Sequence, residues 1–167
     1  MNTLESAEKD ESFLGRVVAW KQAVLIANDH PIFGVGFKGG QNQTIWNYYK
    51  PESNIFNTII DTSQINVINA KAAHSIYFQV LGDMGYTGLV LFILLLFNSY
   101  RYITYAEKKL RYGTFYHELA AITKISLASY VVAGAALSLP YFDILYIIFG
   151  FSTIVYINAK ALNTVND

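Results

Sequence analysis

Residues 86–102 read YTGLVLFILLLFNSYRY, and from Leu89 to Phe97 no side chain is polar. A helix needs about 17 to 25 mostly apolar residues to cross the hydrocarbon of a bilayer. The stretch meets that need near its short limit, and it sets the fold class. Two further apolar segments follow, at 119–139 and 141–157. The reading is an all-α integral membrane protein with about three transmembrane helices in residues 85–167. Residues 1–84 form a polar region ahead of them, with short interfacial helices and a long loop.

Composition narrows the function classes. Apolar types make up 53% of the 167 residues and aromatics 16%, above the range of an ordinary soluble domain. The formal net charge is zero, which argues against a nucleic-acid partner. Cysteine is absent, so disulfides, thiolate metal sites and a cysteine nucleophile are ruled out. His30, His74 and His117 are too dispersed for a ligand pattern, and neither a metal nor a cofactor is expected.

Charge orients the spans. Arg101, Lys108, Lys109 and Arg111 lie between the first and second, whereas the link 139–143 contains Pro140 and Asp143 but no basic residue. The positive-inside rule puts the basic loop and the C-terminus in the cytoplasm, and residues 1–84 on the outer face. The N-terminus has neither the basic nor the apolar region of a signal peptide. The expectation is therefore that this chain is the C-terminal part of a larger protein whose earlier helices deliver the segment across.

Within the outer region, residues 13–27 read as a helix ended by Pro31, with residues 5–11 as a solvated lead-in. A central Arg16 makes it interfacial or protein-buried rather than spanning. At helical spacing Arg16 shares a face with Trp20, Ala23 and Ala27. Residues 31–40, PIFGVGFKGG, form a glycine-punctuated turn whose backbone can approach a neighbouring helix or a ligand. From 41 to 69 the chain is rich in amides and aromatics, a loop composition with short strands expected near 55–60. Ala70 is read as opening a helix that holds His74 in its first turn and breaks at residues 82–85. A helix N-terminus disfavours imidazolium, which would keep His74 neutral and fit it for a general base. The residues alone favour the plainer reading, a histidine capping or packing at the interface. Ala133, Gly134, Ala135, Ala136 and Ser138 read as a close-packing face for a neighbouring helix.

Taken in order, GRVVAWKQAVLIANDHPIFGVGFKGG and AHSIYFQVLGDMGYTGLVLFILL resemble the O-antigen ligase and polymerase family. The shared features are an Arg-x-x-x-Trp helix, the turn after Asp-His-Pro, and a histidine ahead of a glycine-broken span. GAALSLPYFDILYIIFGF looks like the branch of exosortase A-associated O-glycosylation ligases. The resemblance implies a GT-C-like polytopic glycosyltransferase of the bacterial inner membrane, multi-pass, with residues 1–84 periplasmic.

It also implies a mechanism without a metal. The donor would be a glycan on undecaprenyl diphosphate, and the acceptor a glycan, lipid or protein hydroxyl. Arg16 matches the family arginine thought to hold the donor diphosphate, a task suited to a planar guanidinium. His74 matches the histidine proposed to deprotonate the acceptor. Lys38, Tyr77 and Gln79 are the nominated substrate contacts. His30 reads as structural, His117 lies on the cytoplasmic side, and Asp143 reads as an interfacial cap. A second family arginine, from an earlier loop, is missing from this chain, so the isolated chain is expected to be inactive. The competing reading is a non-catalytic membrane fragment or subunit that needs a partner, or the remaining helices of the parent, to complete the site.

Overall fold

The structure, a computed structural model, describes residues 2–51, 57, 58, 60–62 and 67–166, with side chains from Ser12 to Leu162. Among them are five α-helices: α1 (Asn2–Asp29), α2 (Gln43–Tyr49), α3 (Ile76–Lys109), α4 (Phe115–Gly134) and α5 (Asp143–Asn166). A short 3-10 turn, Gly39–Gln41, precedes α2, and the described residues hold no strand. The all-α expectation stands. Of the strand expected at 55–60, residues 55, 56 and 59 lie outside the described residues, and 57, 58 and 60 are not extended. The chain divides into two compact units, residues 1–90 with 134–140, and residues 91–133 with 141–167.

In the first unit, α1 starts well before the expected residue 13. The charged lead-in of Glu, Ala, Lys and Ser consists mostly of good helix formers, so it continues the helix rather than standing apart. The helix stops at Asp29 because Pro31 has no amide hydrogen and disfavours helical geometry at His30. Val17, Val18, Ala19, Ala23, Ile26 and Ala27 are buried, together with Lys21 and Gln22, so α1 is a protein-buried helix. Asn42 caps α2 by accepting the Thr44 amide at 2.9 Å, which satisfies one of the four free N–H groups of a helix start. Trp46 of α2 then packs on Val18, Ala19 and Ala73 to form the core.

Lys21 is buried in this unit and fully engaged. Its ammonium donates to Asn57 Oδ1 at 2.7 Å, the Ile60 carbonyl at 2.7 Å and Thr62 Oγ1 at 3.0 Å, using its three donors. Burial draws its pKa below the usual lysine range, while the Asp61 carboxylate acts the other way. This bracket ties the loop to α1. Lys21→Met should remove all three bonds, leaving Asn57 Oδ1 only its Thr62 donors, and cost about 2 kcal/mol. Denaturant unfolding in micelles measures the loss. Unchanged stability, with unchanged hydrogen exchange at residues 57–62, would show that the bracket is idle.

The glycine turn docks on a break in α3. Gly85 has φ 68° and ψ −169°, which divides α3 into helical segments on either side. A broken helix leaves carbonyls free on one side of the break and amides free on the other. The turn supplies both kinds of partner. Val35 N–H donates to the Gly82 carbonyl (3.1 Å) and Gly36 N–H to the Asp83 carbonyl (2.9 Å), while Tyr86 N–H donates to the Pro31 carbonyl (2.8 Å). Asp83, buried, takes the Lys38 amide on Oδ2 at 3.0 Å, and Tyr86 Oη donates to Asn28 Oδ1 at 2.7 Å. Of the two occupants expected for the turn, the neighbouring helix is therefore the one it meets.

In the second unit, the buried positions of α3 are Phe92, Leu96, Ser99, Ile103 and Ala106, with Leu110 just past its end, in alternating steps of four and three. Those of α5 are Leu145, Ile148, Ser152, Val155 and Ala159 on the same rhythm, and α4 buries Ala120, Thr123 and Leu127. This is a coiled-coil seam. Its interior mixes large apolar residues with the small or hydroxyl residues Ser99, Ala106, Thr123, Ser152 and Ala159, while Leu91, Ile93, Leu94, Phe97, Ile122, Ile125 and Ile147 lie outside. Water would not leave large apolar groups outward and hydroxyls inward, whereas lipid does.

Two helices, Ile76–Lys109 and Asp143–Leu162, are long and apolar enough to cross a membrane. Where the second of three spans was expected, at 119–139, the chain forms α4, which ends at Gly134, carries Glu118 and Lys124, and is not among the helices apolar enough to cross. Lys124 is nevertheless matched, 2.6 Å from Glu107 and over the Tyr100 ring at 5.8 Å. Tyr102 stacks on Tyr156 at 4.3 Å, with Tyr105 edge-on to the same ring. Such an aromatic group is characteristic of a membrane boundary.

Candidate functional site

Arg16 and His74, distant in sequence, come together in the first unit through Trp20. One turn after Arg16, the Trp20 indole N–H donates to the Ala73 carbonyl at 2.5 Å, and its ring stacks on Phe78 at 5.1 Å. Phe13 closes the other side edge-on at 6.4 Å. The Arg-x-x-x-Trp spacing thus has a physical reason: the tryptophan fastens the arginine's helix to the segment that carries the histidine.

His74 does not lie in a helix. The helix it was expected to share starts at Ile76, with the Gln79 amide bonding back to the Ser75 carbonyl as its first hydrogen bond. His74 itself has φ 46°, a left-handed conformation that costs a non-glycine residue roughly 1–2 kcal/mol. Neighbours hold it there. Gln43 bonds both the Ile68 carbonyl and the Ala70 amide at 2.9 Å, and Trp46 Nε1 reaches the Val67 carbonyl at 3.4 Å. The His74 amide itself donates to Ser138 Oγ at 2.7 Å. An irregular segment fixed from three directions can keep a backbone strain that helix propensity would otherwise remove.

The electrostatics suit a base. Burial pushes the His74 imidazole below the usual histidine range, and the positive charges of Arg16 and Lys71 push it further the same way. Neither Ser138 nor Lys71 was singled out as a site residue in the sequence. Ser138 reads there as a packing residue. Its link does pack, since a side chain at Gly134 would collide with Ile76, so the neighbour is the start of α3. Lys71, three residues before His74, carried a readable signal: a cation on the approach to a candidate base.

The other nominated residues are spread along the unit. Tyr77 is half-buried on the first turn of α3. Gln79 and Gln22 are buried, and their Oε1 atoms have no partner among the described residues. Both line a small, partly open cavity of about 30 Å³, room for a water-sized molecule but not a sugar. Lys38 sits at the docked turn, its ammonium over the Phe37 ring at 5.5 Å. An open groove of about 640 Å³, lined by Asp29, His30, Thr44, Tyr48 and Tyr49 among others, contains none of the five nominated residues. In the second unit, Asp143 opens α5, where a carboxylate favours the positive helix end, and His117 lies beside Glu118 at 3.5 Å.

A family model for O-antigen ligases matches residues 1–93, more than half of the chain. The chain belongs to the O-antigen ligase family. In this O-antigen ligase family protein, the matched region takes in Arg16, the docked turn, His74 and the start of the apolar part of α3. It stops short of residues 134–151, which carried the narrower exosortase-associated resemblance. No curated protein and no solved structure matches the chain. Membership brings a general O-antigen ligase or polymerase-like function in a membrane setting, with a lipid-linked glycan as the family's substrate type.

Proposed function

We propose that the chain, within its native membrane assembly, acts in the transfer of a glycan from an undecaprenyl-diphosphate donor to an acceptor hydroxyl at the periplasmic face of the bacterial inner membrane. Arg16 binds the donor diphosphate with its guanidinium fork. His74 removes the acceptor hydroxyl proton as that oxygen attacks the anomeric carbon. The carbon–oxygen bond to phosphate breaks, and undecaprenyl diphosphate leaves with the electron pair. A single displacement of this kind inverts the anomeric configuration. Tyr77 and Lys38 are candidate contacts to the glycan chains, and the C-terminus lies in the cytoplasm with the basic loop 101–111.

One observation carries the reading. Arg16 is close enough to His74 for its charge to add to burial in favouring the neutral imidazole that a base requires. The same juxtaposition suits the chemistry, because a cation beside the base would meet the leaving diphosphate.

The pH profile of transfer, measured in the native membrane assembly, tests it. Only neutral His74 is competent, so activity should fall as pH drops through its pKa, which lies below the ordinary value of about 6.5. Lys71→Gln removes a positive charge, raises that pKa and should move the acid limb to higher pH. Arg16→Gln should move it likewise and also raise the donor concentration needed for half-saturation roughly ten- to a hundredfold, the worth of a lost charged hydrogen bond. An acid limb that stays put in both variants would remove His74 from the mechanism.

A further inference from the structure

The docked turn presents its largest apolar side chains outward. Phe33 is 82% exposed, Ile32 57% and Phe37 63%, on a backbone held by the amides and carbonyls of residues 82–87. A rigid loop that displays such side chains marks an interaction surface. Its place on the chain identifies the partner. The Pro31 carbonyl accepts the Tyr86 amide, and Tyr86 is the first residue after the break, where the apolar segment begins. Ile32 and Phe33 follow directly from that anchor. They are therefore fixed at the level where the spanning helix begins its apolar run, with Met84 and Tyr86 also exposed there. Lys38, at the far end of the turn, is exposed beside Phe37 and provides the cationic group typical of a headgroup layer.

We propose that the 31–37 turn is a lipid-inserted finger, with Ile32 and Phe33 dipping into the acyl boundary of the bilayer. The partner is the lipid surface, not another protein. The finger fixes the depth of the first unit: Phe33 and the break at Gly85 move as one piece, so the unit cannot slide along the membrane normal without pulling an aromatic ring out of lipid.

The chain has no cysteine, which permits a direct test. Single variants Phe33→Cys, Ile32→Cys and, as a lipid reference, Leu94→Cys are made in the full chain and labelled with a nitroxide. They are reconstituted in vesicles of phosphatidylethanolamine and phosphatidylglycerol. Power saturation then compares collision with oxygen, which concentrates in lipid, and with a nickel chelate, which stays in water. The expected result is that oxygen wins at Phe33→Cys and Ile32→Cys, as it does at Leu94→Cys. Collision mainly with nickel would place the turn in water and overturn the proposal. An immobilised label reached by neither reagent would mean that protein covers the turn, and would overturn it equally. Exposure of both positions makes the substitutions compatible with folding, and neither readout depends on glycan transfer.

Discussion

His74→Asn lowers glycan transfer by about a hundred- to ten-thousandfold in the native membrane assembly, the range for loss of a general base, while the protein remains inserted and folded. Asparagine is the informative replacement because, unlike most residues, it tolerates the left-handed backbone found at position 74. It deletes the base and leaves the conformation, so the loss can be assigned to chemistry. His74→Gly makes the same point from the other side. Glycine adopts φ 46° without penalty, so stability should rise by about 1 kcal/mol as activity is lost. A rise in stability with a fall in rate is the mark of strain held for function. Near-wild-type transfer by His74→Asn would end the general-base assignment.

The second large effect concerns the turn. At Gly34 an added Cβ would sit 2.5 Å from the Gly82 carbonyl oxygen and 2.5 Å from the Asp83 carbonyl carbon, on a residue whose φ is +59°. At Gly85 it would meet the Pro31 carbonyl oxygen at 2.5 Å, with φ +68°. These neighbours are backbone and cannot swing aside. Gly34→Ala and Gly85→Ala should therefore each cost about 4 kcal/mol or more, in the exceptional tail for single substitutions. Gly36→Ala is the control. Its φ is +87° but nothing lies within 4 Å, so only the backbone penalty of roughly 1–2 kcal/mol applies. Thermal unfolding in micelles should rank Gly34→Ala and Gly85→Ala well below Gly36→Ala. Equal losses in all three would mean that the turn does not touch the helix break.

Much of this architecture could be read locally. Pro31 ends α1, the glycines of 82–85 break α3, and the uninterrupted apolar run forms a helix long enough to span. Each depends on short-range chemistry. What could not be read locally is what those features are for. The glycines of the turn need partners from residues 82–87, which no local pattern identifies. The segment before Ile76 has the alanines and lysine of a helix, yet bonds from Gln43, Trp20 and Ser138 hold it irregular. The seam of the second unit was present in the sequence but hidden, because the lipid-facing positions are as apolar as a core. The small and hydroxyl residues Ser99, Ala106, Ser152 and Ala159 were the legible trace of it. In the site, Arg16 and His74 were legible as types, and their convergence required the fold.

The hydrogen bond from His74 to Ser138 has a consequence for how such a protein is made. Translation delivers Arg16, the turn and His74 before the hydroxyl that steadies the histidine, which emerges only after α3 and α4 have been synthesised. The nascent chain therefore carries an unfinished site throughout its insertion, with position 74 free to relax out of its costly conformation. The conformation at His74 is completed only once the 134–140 link has closed onto the start of α3.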